Sequence, residues 1–173
     1  LIEVAQFYNA RWIVFQPLLK KNTTDDDCFN FFNKIIPYVN TNTLVGVQNA
    51  KEYIGVGLNP SQILKLYKKF NNFRAIKGEA SATLIQTEIK KYPKEESILI
   101  DCGDSIQGSP LMYFHQLNRK KFPNPVGEIF NYANYDYFIP GNHDFNYGKE
   151  YLNDFVNHLN AKTLCQNIYE GDH

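Results

Sequence analysis

Apolar positions in the first part of the chain recur at helical spacing in two places. The sequence Asn59-Pro60-Ser61 opens a segment whose apolar residues lie on one side and whose lysines lie on the other. The apolar residues of that side are Ile63, Leu66, Tyr67 and Phe70. The pattern predicts an amphipathic helix. A second helix is predicted after Thr24-Asp25-Asp26, which can cap it, and Pro37 would end it.

The remaining segments before residue 75 suit packing rather than chemistry. Ile2 to Leu19 is densely apolar and aromatic, and Thr43 to Gly57 has short apolar runs broken by glycine. For Thr43 to Gly57, strand and loop are equally arguable. Because the clearest periodic segments are helical and carry no chemical motif, residues 1–75 are expected to form a largely helical N-terminal region of unassigned function.

From Ile76 onward, predicted helices and strands alternate regularly. The predicted helices are Glu79 to Lys91, with Leu84, Ile85 and Ile89 facing inward, Leu111 to Leu117, Pro125 to Ala133, and Gly148 to Leu159. The predicted strands are Ser97 to Ile100, which reads as buried, Tyr135 to Ile139, and Thr163 to Cys165. Such alternation is typical of a parallel sheet covered by helices on both faces, which is the α/β class.

Composition and charge narrow the range of functions. Hydrophobic residues make up 43% of the 173 positions, and 18 basic residues balance 18 acidic ones. No overall electrostatic field would therefore draw the chain to nucleic acid or to an anionic membrane, and a phosphate would have to be bound locally. No apolar run approaches the roughly 20 residues of a membrane-spanning helix. The three cysteines, Cys28, Cys102 and Cys165, lie far apart and are expected to be buried thiols.

Two polar loops directly follow predicted strands. The first loop, Asp101 to Pro110, and the second loop, Gly141 to Gly148, fall where sites of α/β sheets lie, beyond the carboxyl ends of the strands. Asp104, beside a glycine, can approach a hard divalent cation and bridge two of them. The amide oxygen of Asn142 is a neutral ligand that keeps a site attractive to phosphate. The adjacent His143 can offer a proton or positive charge to a leaving oxygen.

The two loops, in this order, resemble the second and third motifs of a known family. Gly-Asp-Ser-Ile-Gln-Gly-Ser-Pro followed by Gly-Asn-His-Asp-Phe-Asn-Tyr-Gly resembles the 5′-nucleotidase and 2′,3′-cyclic phosphodiesterase family of two-metal, calcineurin-like phosphoesterases. The resemblance implies that Asp104 bridges two divalent metal ions, Zn, Mn or similar, and that Asn142 binds the second. It implies that His143 is the catalytic histidine facing the phosphate. Asn146 stands where many members have an Asp, and would orient His143.

The resemblance also implies a fold, an activity and a location. Residues 76–173 would form an incomplete catalytic domain, a parallel-sheet sandwich of the metallophosphoesterase type. The implied activity is metal-dependent hydrolysis of nucleotide phosphate esters, of the 5′-nucleotidase or 2′,3′-cyclic phosphodiesterase type. Family members are usually secreted, periplasmic or attached to the cell surface, so an extracellular, periplasmic or cell-surface location is expected.

A different interpretation follows from what the motifs lack. The family's first motif, Asp-x-His, is expected shortly before the helix at Glu79, but Asn71 to Lys77 contains neither Asp nor His. The chain could therefore be a catalytically incomplete fragment or a degenerate relative that acts as a structural or binding module. The remaining metal ligands would then come from the rest of the same protein or from a second chain.

Other polar residues are interpreted structurally. Asp101 is expected to be a structural loop residue and Asp144 a helix-start carboxylate. His115 and His158 are expected to be surface or packing histidines, and Asp172-His173 a tail. The aromatic residues Tyr132, Tyr135, Tyr137 and Phe138 are expected to belong to the core.

Overall fold

The computed structural model describes residues 1–166 and 168, and within that range the side chains of residues 82, 83, 86 and 89 are not described. The chain divides into two compact units, a first unit of Leu1–Lys91 and a second unit that begins at Tyr92. The expected tail at Asp172-His173 lies outside the described residues. Among the described residues, no helix has the length and apolar character needed to cross a bilayer.

The first unit contains a three-stranded parallel sheet. Its strands lie in the order β1 (Trp12–Phe15), β2 (Leu44–Asn49) and β3 (Phe73–Gly78). Its helices are α1 (Ile2–Phe7), α2 (Asp25–Ile35) followed by a 3₁₀ turn at Ile36–Tyr38, α3 (Lys51–Ile54), α4 (Pro60–Lys69) and α5 (Ala82–Ile89). The expectation of a largely helical N-terminal region missed this sheet. β2 is interrupted by Gly46, so its sequence pattern was equally compatible with a loop.

Capping residues explain why the helices of the first unit begin where they do. The Thr24 hydroxyl accepts a hydrogen bond from the Asp27 amide at 3.2 Å, and the Asp27 carboxylate accepts one from the Thr24 amide at 2.9 Å. Asn59 and Gln62 make the same reciprocal pair at the start of α4, with both distances 3.0 Å. These capping boxes satisfy amide groups that have no partner within the helix.

The start of α5 corrects the sequence prediction. The predicted helix begins at Glu79, whereas α5 begins at Ala82. Glu79 is unavailable to the helix because its amide donates to the Asn49 carbonyl at 3.1 Å and its carboxylate accepts from Gln48 at 3.0 Å. Leu84, which was expected to face inward, is 43% exposed. The side chain of Ile89 lies outside the described part of the chain.

The second unit has its own parallel sheet, in the order β4 (Ile100–Asp101), β5 (Tyr137–Phe138) and β6 (Lys162–Thr163). Its helices are α6 (Pro110–Asn118), α7 (Pro125–Ala133) and α8 (Lys149–His158), with 3₁₀ helices at Lys94–Glu96 and Asn142–Phe145. The three predicted helices and the parallel α/β arrangement are thus observed. The strands are shorter than predicted.

The prediction of a buried strand at Ser97 to Ile100 was wrong in both its bounds and its burial. The strand is Ile100–Asp101, and Ile98 and Ile100 are 66% and 45% exposed. Two features of the sheet explain the difference. β4 is an edge strand, and the Leu99 amide donates to the Asp136 carboxylate at 2.8 Å, where regular strand pairing would use a carbonyl.

An aromatic core supports the second unit. Phe130 stacks on Tyr135 with ring centroids 4.4 Å apart, and Phe138 and Phe155 are fully buried beside them. Ile106, from the first loop, is also fully buried and belongs to this core. The sheet and the first loop therefore share one packed interior. Tyr132 was expected in the core but is 71% exposed.

The cysteines do not share one environment. Cys28 is buried in the first unit, as expected, but Cys102 and Cys165 are exposed. The expectation of three buried thiols was therefore wrong for two of them. Both exposed cysteines follow strand ends, where the chain leaves the sheet.

Candidate functional site

The first and second loops leave the same edge of the second unit's sheet. β4 and β5 are parallel neighbours in which Ile100 pairs with Tyr137 and Asp101 with Phe138. The first loop follows β4 and the second loop follows β5, so both emerge at the carboxyl ends of adjacent strands. The structure therefore brings the predicted site residues of the two loops into one neighbourhood.

Two glycines allow the loops to touch through their main chains. Gly103 has a positive φ of 86°, and a Cβ atom at that position would lie 2.0 Å from the Gly141 nitrogen. A Cβ atom at Gly141 would lie 2.4 Å from Oδ1 of Asp104. Real side chains do not approach this closely, so the contact requires glycine on both loops.

Asp144 holds the two loops together. Its side chain is completely buried, and its carboxylate accepts four backbone N–H groups. Oδ2 accepts from Asp104 at 2.8 Å and Gly141 at 2.9 Å, and Oδ1 accepts from Ser105 at 2.9 Å and Ile106 at 3.1 Å. The bond from Gly141 is the helix-start contact expected of Asp144. The three bonds to the first loop were not predicted.

Asp104 makes the reciprocal contact. Its Oδ1 accepts a hydrogen bond from the His143 backbone amide at 2.8 Å, so each loop supplies a carboxylate to the main chain of the other. Asp104 itself is exposed and has a positive φ of 60°, a left-handed conformation that non-glycine residues seldom adopt. Asp104 is thereby fixed beside the Asn142-His143 pair.

His143 and Asn146 are paired on the exposed side of the second loop. The Asn146 side-chain nitrogen donates to Nδ1 of His143 at 3.1 Å. Because an amide nitrogen is a donor, this contact leaves the proton of neutral His143 on Nε2. The contact suits the orienting role expected of Asn146. The catalytic roles of both residues stay predictions.

Asp101 supports the first loop from inside. Its Oδ1 accepts from the Gly103 amide and from the Ser105 hydroxyl, both at 2.9 Å. Burial raises the pKa of the Asp101 carboxyl; these two hydrogen bonds act in the opposite direction, and the nearby Asp144 carboxylate adds to the increase. This geometry is that of a loop-building residue.

The donor set fits part of a divalent-metal site. Asp104 supplies carboxylate oxygen and Asn142 amide oxygen, which are the ligands that hard cations prefer. Within the described residues, no group of three or more His, Cys, Asp or Glu side chains is arranged to hold a metal ion. The metal-binding roles of Asp104 and Asn142 stay predictions, and a complete centre would need ligands beyond these two.

Besides His143, the structure describes two histidines of the second unit, His115 and His158, and both have structural partners. His115 is buried, with Nδ1 at 2.7 Å from the Tyr151 hydroxyl and Nε2 at 3.1 Å from the Phe122 carbonyl. His158 contacts the Glu128 carboxylate at 2.6 Å. These contacts join α6 and α7 to α8.

Part of the chain is similar in sequence to nucleotide phosphoesterases. No family model matches the chain. It is 34% identical over 79 residues to a 2′,3′-cyclic-nucleotide 2′-phosphodiesterase/3′-nucleotidase of Haemophilus influenzae, covering 44% of this chain and 12% of the relative. It is 25% identical over 105 residues to a probable 5′-nucleotidase of Treponema pallidum, covering 61% of this chain and 17% of the relative. These matches confirm the resemblance to a part of the nucleotidase family.

The match to solved structures concerns the fold alone. The Ruminococcus gnavus sialic acid aldolase superposes with a TM-score of 0.50 and 19% sequence identity, over 61% of this chain and 34% of the aldolase chain. At this identity the likeness supports an α/β fold and carries no functional argument.

Proposed function

We propose that the two loops form part of the catalytic centre of a metal-dependent phosphoesterase that hydrolyses phosphate esters of nucleotides. The observation that carries the proposal is the reciprocal contact of the loops, in which Asp144 accepts the Asp104 amide and Asp104 accepts the His143 amide. The relatives named as nucleotidases and cyclic phosphodiesterases support the substrate class. The proposed fold is correspondingly a part of the metallophosphoesterase sandwich.

Each residue has a distinct role in this proposal. Asp104 and Asn142 would hold two divalent ions, which supply Lewis acidity at the phosphoryl group when bound. The Nε2–H group of His143 would donate a hydrogen bond to the leaving oxygen and so stabilise the negative charge that develops there. Asn146 keeps the ring oriented through Nδ1. Asn146 carries no charge and would stabilise a protonated His143 less than a carboxylate would.

The proposal extends to organisation and partners. Residues 76–173 would contribute the phosphoesterase part, and residues 1–75 would have no assigned function; both loops lie in the second unit, which begins at Tyr92. The substrate is a nucleotide or another small phosphate ester. By analogy with the family, the site works outside the cytoplasm, in an extracellular, periplasmic or cell-surface location.

A second candidate function is a non-catalytic module. Two metal ions need about six or seven ligands, and Asp104 and Asn142 supply two of them. The segment Asn71 to Lys77, where an Asp-x-His motif was expected, has no Asp or His and forms most of β3 in the first unit. The rest of a larger protein or a second chain would have to complete the centre.

Metal binding and hydrolysis by the purified chain separate the two candidates. With added Mn²⁺ or Zn²⁺, the catalytic candidate predicts two metal equivalents and hydrolysis of a 2′,3′-cyclic nucleotide, a 3′- or 5′-nucleotide, or an aryl phosphate. His143→Ala should lower turnover about a hundredfold or more and leave the metal content unchanged. Asp104→Asn should lower the metal content itself, because the bridging charge is lost.

His158→Gln is the matched control, because His158 lies in the same unit but contacts Glu128 rather than the loops. It should retain both metal content and turnover. No metal uptake and no hydrolysis after reconstitution would favour the non-catalytic module. Normal turnover in an active His143→Ala variant would show that another acid serves the leaving group.

A further inference from the structure

We propose that Asp144 is a positioning residue, which holds Asp104 and the main chain of His143 in their working arrangement. Asp144 is not expected to touch substrate or metal, since its side chain is completely buried beneath the loops. Its role in catalysis rests on the proposed function. Its role in ordering the loops rests on the hydrogen bonds alone.

The environment of Asp144 is built for a carboxylate. Four backbone amides point at its two oxygens, two at each, over distances of 2.8 to 3.1 Å. Burial of a carboxylate is costly unless its oxygens accept hydrogen bonds, and N–H groups donated to an anion make stronger bonds than those donated to a neutral group. Three of the donors belong to the first loop, namely Asp104, Ser105 and Ile106.

The contacts close into a ring. Oδ2 of Asp144 accepts the amides of both Asp104 and Gly141, while Oδ1 of Asp104 accepts the amide of His143. Asp144 and His143 are neighbours in the second loop, so the ring runs from the second loop to the first and back. Asp104 can receive the His143 amide only while Asp144 fixes the unusual left-handed backbone of Asp104. Loss of the Asp144 carboxylate should therefore also weaken the hydrogen bond from the His143 amide to Asp104, in which Asp144 takes no part.

An amide cannot replace this carboxylate. An asparagine side chain has one oxygen acceptor and one NH₂ donor, so whichever way it turns, its NH₂ group faces two of the four amide donors. Asp144→Asn is nearly isosteric with the native residue, and it tests the acceptor geometry rather than the packing volume.

The decisive measurement is amide hydrogen exchange of the metal-free full chain, followed by NMR. In Asp144→Asn, we expect the four direct donors to exchange faster. We also expect exchange at the His143 amide to be about tenfold faster or more, since the bond it makes to Asp104 depends on the ring. Unchanged exchange at His143 would overturn the proposal, because a purely local role of Asp144 would move only the four direct donors.

Asp136→Asn is the matched control. Asp136 also accepts a backbone amide, that of Leu99 at 2.8 Å, but it does so at the opposite end of β4 and β5. An asparagine oxygen can still accept the Leu99 amide but binds it more weakly than a carboxylate does, so Asp136→Asn should speed exchange at Leu99 modestly and leave His143 unchanged. Faster exchange at His143 in this control as well would mean that general destabilisation, and not the ring, explains the effect.

Asp104→Gly is a second variant that tests the ring of hydrogen bonds if Asp144→Asn does not fold. Glycine accepts the left-handed backbone at position 104 readily and removes the acceptor for His143. We expect about tenfold faster exchange at His143, while the four amides bound to Asp144 keep their protection. Unchanged exchange at His143 in this variant would overturn the ring.

Mn²⁺ titration then separates this inference from the proposed function. If the wild-type chain binds Mn²⁺, Asp144→Asn should bind it about tenfold more weakly or worse, and Asp136→Asn should bind it normally. Equal affinity in Asp144→Asn and wild type would overturn the positioning role. If the wild-type chain binds no Mn²⁺, the proposed function fails for this chain, and the exchange experiment still decides whether Asp144 orders the loops.

Discussion

At the scale of single residues, the close approach of the two loops depends on glycine at two positions. Gly103 faces two constraints at once, a positive φ of 86° and a backbone nitrogen 2.0 Å from where a Cβ atom would lie. Gly108, in the same loop, faces only one. Its φ is 96°, but nothing lies within 4 Å of the position that its Cβ would occupy. Comparing substitutions at Gly103 and Gly108 therefore distinguishes the cost of backbone strain from the cost of steric overlap.

Gly103→Ala should destabilise the chain more than Gly108→Ala does. Both variants should lose about 1–2 kcal/mol of folding free energy, because they place a side chain in the left-handed region. Gly103→Ala must also push the second loop away, which should bring its total cost to about 3 kcal/mol or more. Unfolding in urea, followed for the second unit, measures both values. Equal costs for the two variants would contradict the close contact between Gly103 and Gly141.

Sequence patterns could identify the loops but not the way in which they are joined. Asp104, Asn142 and His143 were predicted as neighbours because their loops follow successive strands of a parallel sheet. The contacts of Asp144 could not be predicted in full, since most of its partners are backbone amides of another loop and leave no side-chain signature. The spacing of Gly141 and Asp144, typical of a helix start, indicated only the local part of its role.

At the scale of elements, helices were predictable where a capping residue marks the start. Thr24 and Asn59 each begin a helix of the first unit with a reciprocal side-chain cap, and Asn124 begins α7. Strands were harder to predict. Each strand of the second unit has only two residues in regular pairing. The amide of Leu99, directly before β4, donates to the side chain of Asp136 instead of to a backbone carbonyl. A strand held partly by a side chain has no alternating pattern to reveal its bounds.

The cap of α7 gives a quantitative prediction. Asn124 is buried, and its Oδ1 accepts the amides of Val126 at 3.0 Å and Gly127 at 3.1 Å. Asn124→Ala should lower the free energy of unfolding by about 1–2 kcal/mol, because both amides lose their partner. Asn124→Ser should lose less, since a serine hydroxyl can also cap. Thermal or urea unfolding compares the two, and similar losses in both variants would show that the cap is not the stabilising feature.

At the scale of the whole molecule, each unit has its own parallel sheet and its own buried residues. The alternation of helices and strands predicted the second unit's class correctly. In the first unit, the glycine-interrupted run that became β2 was compatible with a loop, so the sheet was missed there. Fully buried Val45, Val47 and Phe73 show that β2 and β3 lie within a packed interior.

The three thiols report separately on the two units. Cys28 is buried within the first unit, and burial, with a smaller effect of the Asp25 carboxylate, raises its pKa to about 11. Cys102 and Cys165 are exposed on the second unit. Because the thiolate is the reactive form, brief treatment with iodoacetamide at pH 8 should label Cys102 and Cys165 at least about a hundredfold faster than Cys28. Peptide mapping by mass spectrometry measures the three rates.

The ionisation of the Cys28 thiol should make the folded chain less stable at alkaline pH. Its pKa is higher in the folded chain than its ordinary value of 9.0, so its contribution to stability is complete below about pH 9 and is lost as the pH rises toward 11. Cys28→Ala should therefore lose less stability between pH 9 and pH 11 than the wild-type chain does. For the labelling experiment, the guanidinium-unfolded chain is the control, because all three thiols should be labelled at similar rates in it. Rapid labelling of Cys28 in the native chain at pH 8 would contradict a closed core around α2, because a buried neutral thiol can react only after that core opens.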